Sequence, residues 1–365
     1  MNYKELLFFI AKSLTISLEE INRDEIEFIL KTTDVDWEAV VKVSTSHYVF
    51  PALYCNFKKA DFLKYLPDDL VDYMRHITNL NRDRNIQILQ QAQELNSLLL
   101  ANNITPIFLK GTGNLLAGLY EDIAERMVGD IDFIFSKEDY PKAITILRNN
   151  RYSEVETLKY YPPAKKHYRR LQKENIIAAV EIHKELVIEK YQNEFNYSFV
   201  KKDSQVLNGV FVLSYANKLN LSIIANQIND SGFYYKTMVL RNAYDVFLLS
   251  KKTNAKDAVN TLKNLTNPLS CFLAACYEVF NTVDSLEYNN TKKAASYLSI
   301  FNSQFTNRKK TKIRHKLIKS YLFLKSRLNI IHKCIISKEY RVWYFKRGTD
   351  KNWYKEKLIQ LGIKK

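Results

Sequence analysis

Glycine and proline are scarce in this chain, with eight and seven among 365 residues. No Pro/Gly/Ser-rich linker and no internal repeat divides it. The four cysteines (Cys55, Cys271, Cys276, Cys334) are scattered, without a C-x-x-C pair. Neither a zinc site nor a disulfide framework follows, and a reducing cytoplasm is the default expectation. No run of 18 or more uncharged apolar residues occurs, so no membrane span is expected. The opening "MNYKELLFFIAKSL" has a short apolar patch but no small-residue cleavage site, and reads as an amphipathic helix rather than a signal peptide.

Acidic residues are what the C-terminal end lacks. Residues 308–365 hold 19 Lys/Arg and three Asp/Glu, which accounts for the whole formal charge of +16. The preceding residues carry 36 of each sign and are neutral. Hydrophobic content of 46% with 26% charged residues is that of a globular protein with a sizeable core.

The texture of the chain changes three times. Residues 1–100 read as helices, with apolar residues three and four apart through "DDLVDYMRHITNLNRDRNIQILQQAQELNSLLLANN". From 101 to 215 short β-type runs alternate with short helices: "ITPIFLKG", "GNLLAGLY", "DIDFIF", "KEDYPKAITILRNN", "KHYRRLQK", "NIIAAVEIHKEL". That order predicts a small mixed-sheet core flanked by helical regions, an α+β chain. The helical period returns over 216–306, and 307–365 forms a basic amphipathic tail. Half of the glycines (Gly111, Gly113, Gly118, Gly129) fall between 111 and 129, which suggests a turn that cradles phosphate. Helix punctuation is the plainer reading.

In "VGDIDFIF" two carboxylates interrupt an apolar run. Alternation along a strand puts Asp130 and Asp132 on one face, where their repulsion favours a shared proton or a divalent cation. Oxygen ligands suit Mg²⁺ or Mn²⁺ with substrate phosphates completing the shell. Glu181 in "AAVEIHKEL" offers a third acid if its strand lies alongside, and His183 shares its face. Three carboxylates around divalent metals suit in-line phosphoryl transfer. Capping or a structural ion pair is the plainer role for each acid.

The succession Leu109-Lys110-Gly111, Arg126, Asp130-Ile131-Asp132 and Glu181-Ile182-His183 resembles the nucleotidyltransferase fold of the polymerase-β type. More narrowly it resembles the bacterial nucleotidyltransferase family often encoded among surface-polysaccharide genes. The likeness extends to "DWEAVVKVSTSHYVFPALY" before the core and "VLRNAYDVFLL" after it, roughly residues 35–255. It implies catalytic and metal-ligating roles for Asp130, Asp132 and Glu181. It also implies an NTP whose phosphates meet Lys110, Gly111, Thr112, Gly113 and Arg126. The acceptor is left open by the resemblance, a sugar or sugar-phosphate being one candidate, and pyrophosphate leaves. Where the superfamily has Gly-Ser, this chain has Lys110-Gly111-Thr112, so Thr112 or backbone amides take the serine's place. The third acid, more often aspartate, is here Glu181. The histidines the family often carries in the following helix are missing from "LSIIANQIND".

Two other readings fit the same residues: a toxin-like transferase acting on tRNA or protein, and a non-catalytic binding subunit that keeps the fold. The aromatic stretch "LKYYPPAKKHYRRL" (158–171) offers Tyr160 or Tyr161 for base stacking, or is a plain surface loop. In the tail, Ile313, Leu317, Tyr321, Leu324, Leu328, Ile331 and Ile335 line one helical stripe among lysines and arginines. That stripe packs on the body, lies on an anionic membrane surface at the inner face, or accompanies binding to RNA.

Overall fold

The structure, a computed structural model, describes residues 1–155 and 159–360. Leu158, at the edge of the aromatic stretch, and the last five residues of the tail lie outside them. The chain forms two compact units, residues 1–154 with 166–307, and residues 155–165 with 308–365. The stretches 1–100 and 216–306 therefore share one body with 101–215, except for residues 155–165.

That body begins with five helices: α1 (Tyr3–Ser13), α2 (Glu20–Thr32), α3 (Trp37–Ser46), α4 (Phe50–Lys59) and the 34-residue α5 (Asp68–Ala101). Asn2 and Glu5 close a capping box at the start of α1, which satisfies backbone donors there. Seven short strands follow, interleaved with helices. β1 is Ile107–Phe108, β2 Asp130–Ile134, β3 Ser153–Glu154, β4 Leu171–Gln172, β5 Ala179–His183, β6 Gln205–Leu207 and β7 Val210–Val212. They form one mixed sheet in the order β3-β4-β5-β2-β1-β7-β6. β2 pairs parallel with β5 and antiparallel with β1. Between strands lie α6 (Lys110–Leu116), α7 (Asp139–Asn149) and α8 (Tyr197–Lys202). After the sheet come α9 (Tyr215–Ile224), α10 (Gly232–Tyr235), α11 (Leu240–Ser250), α12 (Ala255–Asn260), α13 (Thr266–Val279) and α14 (Lys292–Thr306). The architecture is thus α+β with helical flanks, as the alternation of textures predicts.

Three details differ from the sequence reading. The "KHYRRLQK" strand shrinks to Leu171–Gln172 plus an isolated bridge between His167 and His183. The pair β6–β7 was not anticipated. Its turn is Asn208-Gly209, both with positive φ (51° and 76°), the torsions an Asn-Gly hairpin turn requires. The glycines at 111 and 113 lie inside α6 rather than in a loop. A Cβ on Gly113 would sit 2.6 Å from the carbonyl oxygen of Phe108, so close packing of α6 on β1 demands glycine there.

The second unit holds α15 (Arg308–Ile336), α16 (Lys338–Gly348) and α17 (Lys351–Gln360). Within it Tyr160 donates its hydroxyl to Asp350 (2.7 Å) and Lys159 pairs with the same carboxylate (2.5 Å). No helix among the described residues is long and apolar enough to cross a membrane.

One buried charge of the larger unit makes its stability depend on pH. Lys218 in α9 is 3% exposed, and its Nζ has no hydrogen-bond partner among the described residues. Burial pulls its amine down from 10.5 to about 7. Above that value the unfolded chain holds a proton that the folded chain lacks, so stability rises with pH between about 7 and 10. Thermal melts of the wild type and Lys218→Met across this range should show a smaller rise in the variant.

Candidate functional site

The site is built on the face of β2 and β5. Ile131 and Phe133 point into the core and are fully buried, which turns Asp130 and Asp132 to the opposite side. The parallel register sets Asp132 directly beside Glu181 and Ile134 beside His183. Two carboxylates thus stand shoulder to shoulder, with a third two residues away along β2.

Cations hold this acidic face together. Lys110 Nζ lies 2.6 Å from Asp132 and 3.7 Å from Glu181. Arg170 Nη2 lies 2.8 Å from Asp130 and 3.3 Å from Glu181. His183 Nε2 is 2.8 Å from the Asp132 carboxylate, which can only accept when ionised, so this nitrogen carries the proton. Asp130, Arg170, Glu181, Lys110, Asp132 and His183 therefore form one unbroken chain of charge contacts. The acids and the histidine lie deep, with side chains 4–26% exposed, whereas Lys110 and Arg170 are 34% and 42% exposed. The cations cover the acids from the solvent side.

The electrostatics follow from these contacts. Burial opposes ionisation of Asp132, but Lys110 and the hydrogen bond from His183 outweigh it and hold its carboxyl well below the usual range. Asp130 is raised, by burial first, with Glu181 and Asp132 adding to it against the pull of Arg170. Burial, helped by the charge of Lys110, lowers His183 and keeps its ring neutral at neutral pH. Burial also brings Lys166 down to about 8, again with Lys110 pushing the same way. Asp230, at the end of the π-helical turn Ala225–Asn229, is close enough for its charge to act on Lys166 and Lys110.

Lys110 reaches Asp132 from a strained backbone. Its φ is +49°, in the left-handed region that costs a non-glycine residue about 1 kcal/mol or more. Leu109 N–H donates to the Asp132 carbonyl (2.9 Å), tying this bend to the edge of β2.

Two of the expected phosphate contacts are engaged elsewhere. Thr112 is fully buried and its hydroxyl donates to the Asp130 carbonyl oxygen (3.0 Å). Arg126 is 6% exposed and pairs with Asp245 of α11. Its Nε lies 3.0 Å from Oδ1 and its Nη2 3.0 Å from Oδ2. Tyr120 donates to the same carboxylate (2.6 Å). Gly111 packs against the guanidinium and Val128, where a Cβ would come within 2.9 Å of the valine methyl. These residues shape the segment entering β2. α5 braces it from the other side: Asn81 and Asn85 donate to the carbonyls of Ala124 (2.7 Å) and Arg126 (2.7 Å), and Arg82 pairs with Asp122 (2.6 Å).

Arg170, Lys166, Asp230 and Asp245 were missed as members of this network. The signal for Asp245 was present, as an acid amid the apolar "AYDVFLL". Arg170 sat in a stretch read for its tyrosines.

The donor set fits a divalent cation. One ligand atom each from Asp132, Glu181 and His183 lies within 4.8 Å of the others, with the His183 nitrogen able to ligate only once it has given up its proton. Asp130, on the same face of β2, lies outside that group and meets Glu181 only across Arg170. A mixed sheet with paired acids on one strand and a third on its parallel neighbour, between helical flanks, is a nucleotidyltransferase-like α+β fold. The chain belongs to the family described as uncharacterised nucleotidyltransferase, whose model matches residues 33–282.

The crystal structure of JHP933 from Helicobacter pylori is similar at 14% identity, covering 66% of this chain and 97% of that one, with a TM-score of 0.29. A second H. pylori structure, described provisionally as a nucleotidyltransferase, is similar at 12% identity over 70% of this chain and 99% of that one, with a TM-score of 0.27. Scores this low leave the family match as the basis of the assignment. No curated protein matches the chain.

The Arg126–Asp245 pair should be essential to stability. Asp245→Ala leaves a buried guanidinium without its carboxylate and should cost about 3–5 kcal/mol in denaturant unfolding. Replacing both partners by apolar residues (Arg126→Met with Asp245→Leu) should restore most of it.

Proposed function

We propose that this nucleotidyltransferase takes a nucleoside triphosphate with Mg²⁺ or Mn²⁺ and transfers the nucleoside monophosphate to an acceptor, releasing pyrophosphate. The observation that supports this most is the register placing Asp132 beside Glu181, with Asp130 on the same face. Asp130, Asp132 and Glu181 would hold the metal, which supplies charge for the phosphates and a more acidic acceptor oxygen. The acceptor oxygen attacks the α-phosphorus, the bond to the β-phosphate oxygen breaks, and the acceptor proton passes to Glu181.

Lys110 and Arg170 neutralise the acids in the free protein. Both lie nearer the surface than the carboxylates, so they can turn from the acids to the triphosphate. His183 orients the Asp132 carboxylate by donating from Nε2 and is a positioning residue. Thr112 and Arg126 act through the backbone they hold. A sugar or sugar-phosphate acceptor rests on the family resemblance alone.

Pyrophosphate release from each of the four NTPs, with sugar-phosphate and tRNA acceptors, tests this directly. Asp130→Asn and Asp132→Asn should each lower turnover by about a hundredfold or more, the loss of about 3 kcal/mol of charge stabilisation, with the fold kept as read by circular dichroism. Full activity in either variant would overturn the assignment.

Lys110→Met gives a second measurement. Removing a cation that the carboxylates share should tighten Mn²⁺ binding by about tenfold, read by paramagnetic titration, while turnover falls. Unchanged Mn²⁺ affinity would separate Lys110 from the metal position.

A further inference from the structure

The helical tail carries two features that demand a partner. α15 holds ten Lys/Arg and no acid in 29 residues, and none of its residues is buried. Leu317, Leu324, Leu328, Ile331 and Ile335 recur along it at helical spacing, and each is 54–71% exposed. α16 continues the theme with aromatic residues. Phe345 is 68% and Tyr344 45% exposed, and the Arg347 guanidinium lies 4.6 Å from the centre of the Trp343 ring.

Each kind of partner answers these features differently. A nucleic acid would meet the cations but leave the apolar stripe in water. A second copy would cover the stripe but bring ten cations against ten, with no acid in either helix to offset them. A bilayer rich in anionic headgroups answers both. The stripe enters the boundary of the acyl chains while lysine and arginine reach up to the headgroups. Trp and Tyr beside it suit the same depth, where a ring is half in water. No described helix is apolar enough to span, so the mode of contact is peripheral.

We propose that residues 308–348 form a peripheral membrane anchor that lies on anionic phospholipid bilayers through the apolar stripe of α15.

The test uses the full chain with sedimenting vesicles of phosphatidylcholine mixed with phosphatidylglycerol, and of phosphatidylcholine alone. The protein should pellet with the mixed vesicles, weaken with added salt, and stay in solution with the neutral ones. The pair Leu324→Ser with Leu328→Ser should reduce partitioning by about tenfold or more, since two leucines lose their place in the bilayer. Both side chains are exposed, so the melting temperature and circular dichroism should not change.

Absence of binding to the mixed vesicles would overturn the proposal. Binding that the serine pair leaves intact would also overturn it, because the stripe would then be idle and the charge would serve any polyanion, tRNA included. Oligomers that form without lipid and dissolve in the serine pair, with no vesicle binding, would assign the stripe to a second copy instead.

Discussion

The parallel pairing of β2 with β5 is the constraint on which the rest of this site depends. It places Asp132 beside Glu181 in a poorly hydrated sheet, where two ionised carboxylates repel and lose their water. Such a face persists only if positive charge is built against it. Lys110 supplies it at one end and Arg170 at the other, each bridging two acids. Four distant stretches of chain are joined by that requirement: the start of α6, β2, the segment before β4, and β5. The left-handed torsion at Lys110 is one cost of bringing an amine to that spot.

Depth separates the roles within this network. The acids and His183 sit beneath, fixed by the sheet and by each other, while the two cations lie above them and are partly in water. An arrangement of this kind is stable alone and can still exchange one source of positive charge for another. The proposed reaction would use both layers, the buried acids for a metal and the outer cations for a triphosphate. The braces are equally separated. Arg126, Asp245 and Tyr120 on one side and Asn81, Asn85 and Arg82 on the other hold the strand's approach without touching the acids.

What the sequence disclosed and what it withheld have one physical cause. Asp130, Asp132 and Glu181 were legible because a carboxylate in an apolar run is anomalous by itself, and strand alternation then fixes its face. The helical flanks were legible from their period. Arg126 and Thr112 were misleading because a charged or hydroxyl residue near a glycine turn suits a phosphate and a buried network equally well. Only tertiary contact brings Asp245, 119 residues on, to the guanidinium. Arg170 escaped because its role depends on a strand of two residues, too short to show alternation. The Asn208-Gly209 hairpin was there to be read, and its signal was local. The glycines at 111 and 113 had a packing reason that composition does not distinguish from a phosphate cradle.

Charge is also partitioned along the chain, and the partition bears on how each part works. Residues 1–307 carry equal numbers of acids and bases, so they set up little net field beyond a Debye length of about 8 Å. Under the proposed reaction, attraction for a triphosphate arises locally, from Lys110 and Arg170 once they turn from the carboxylates, and from Lys166 beside them. Lys166 lies near enough to join them, since its charge acts on the site acids Asp132 and Glu181 although burial brings its amine down to about 8. The excess of the tail cannot substitute for them. Its cations flank an exposed apolar stripe, the amphipathic pattern on which the proposed membrane anchoring rests.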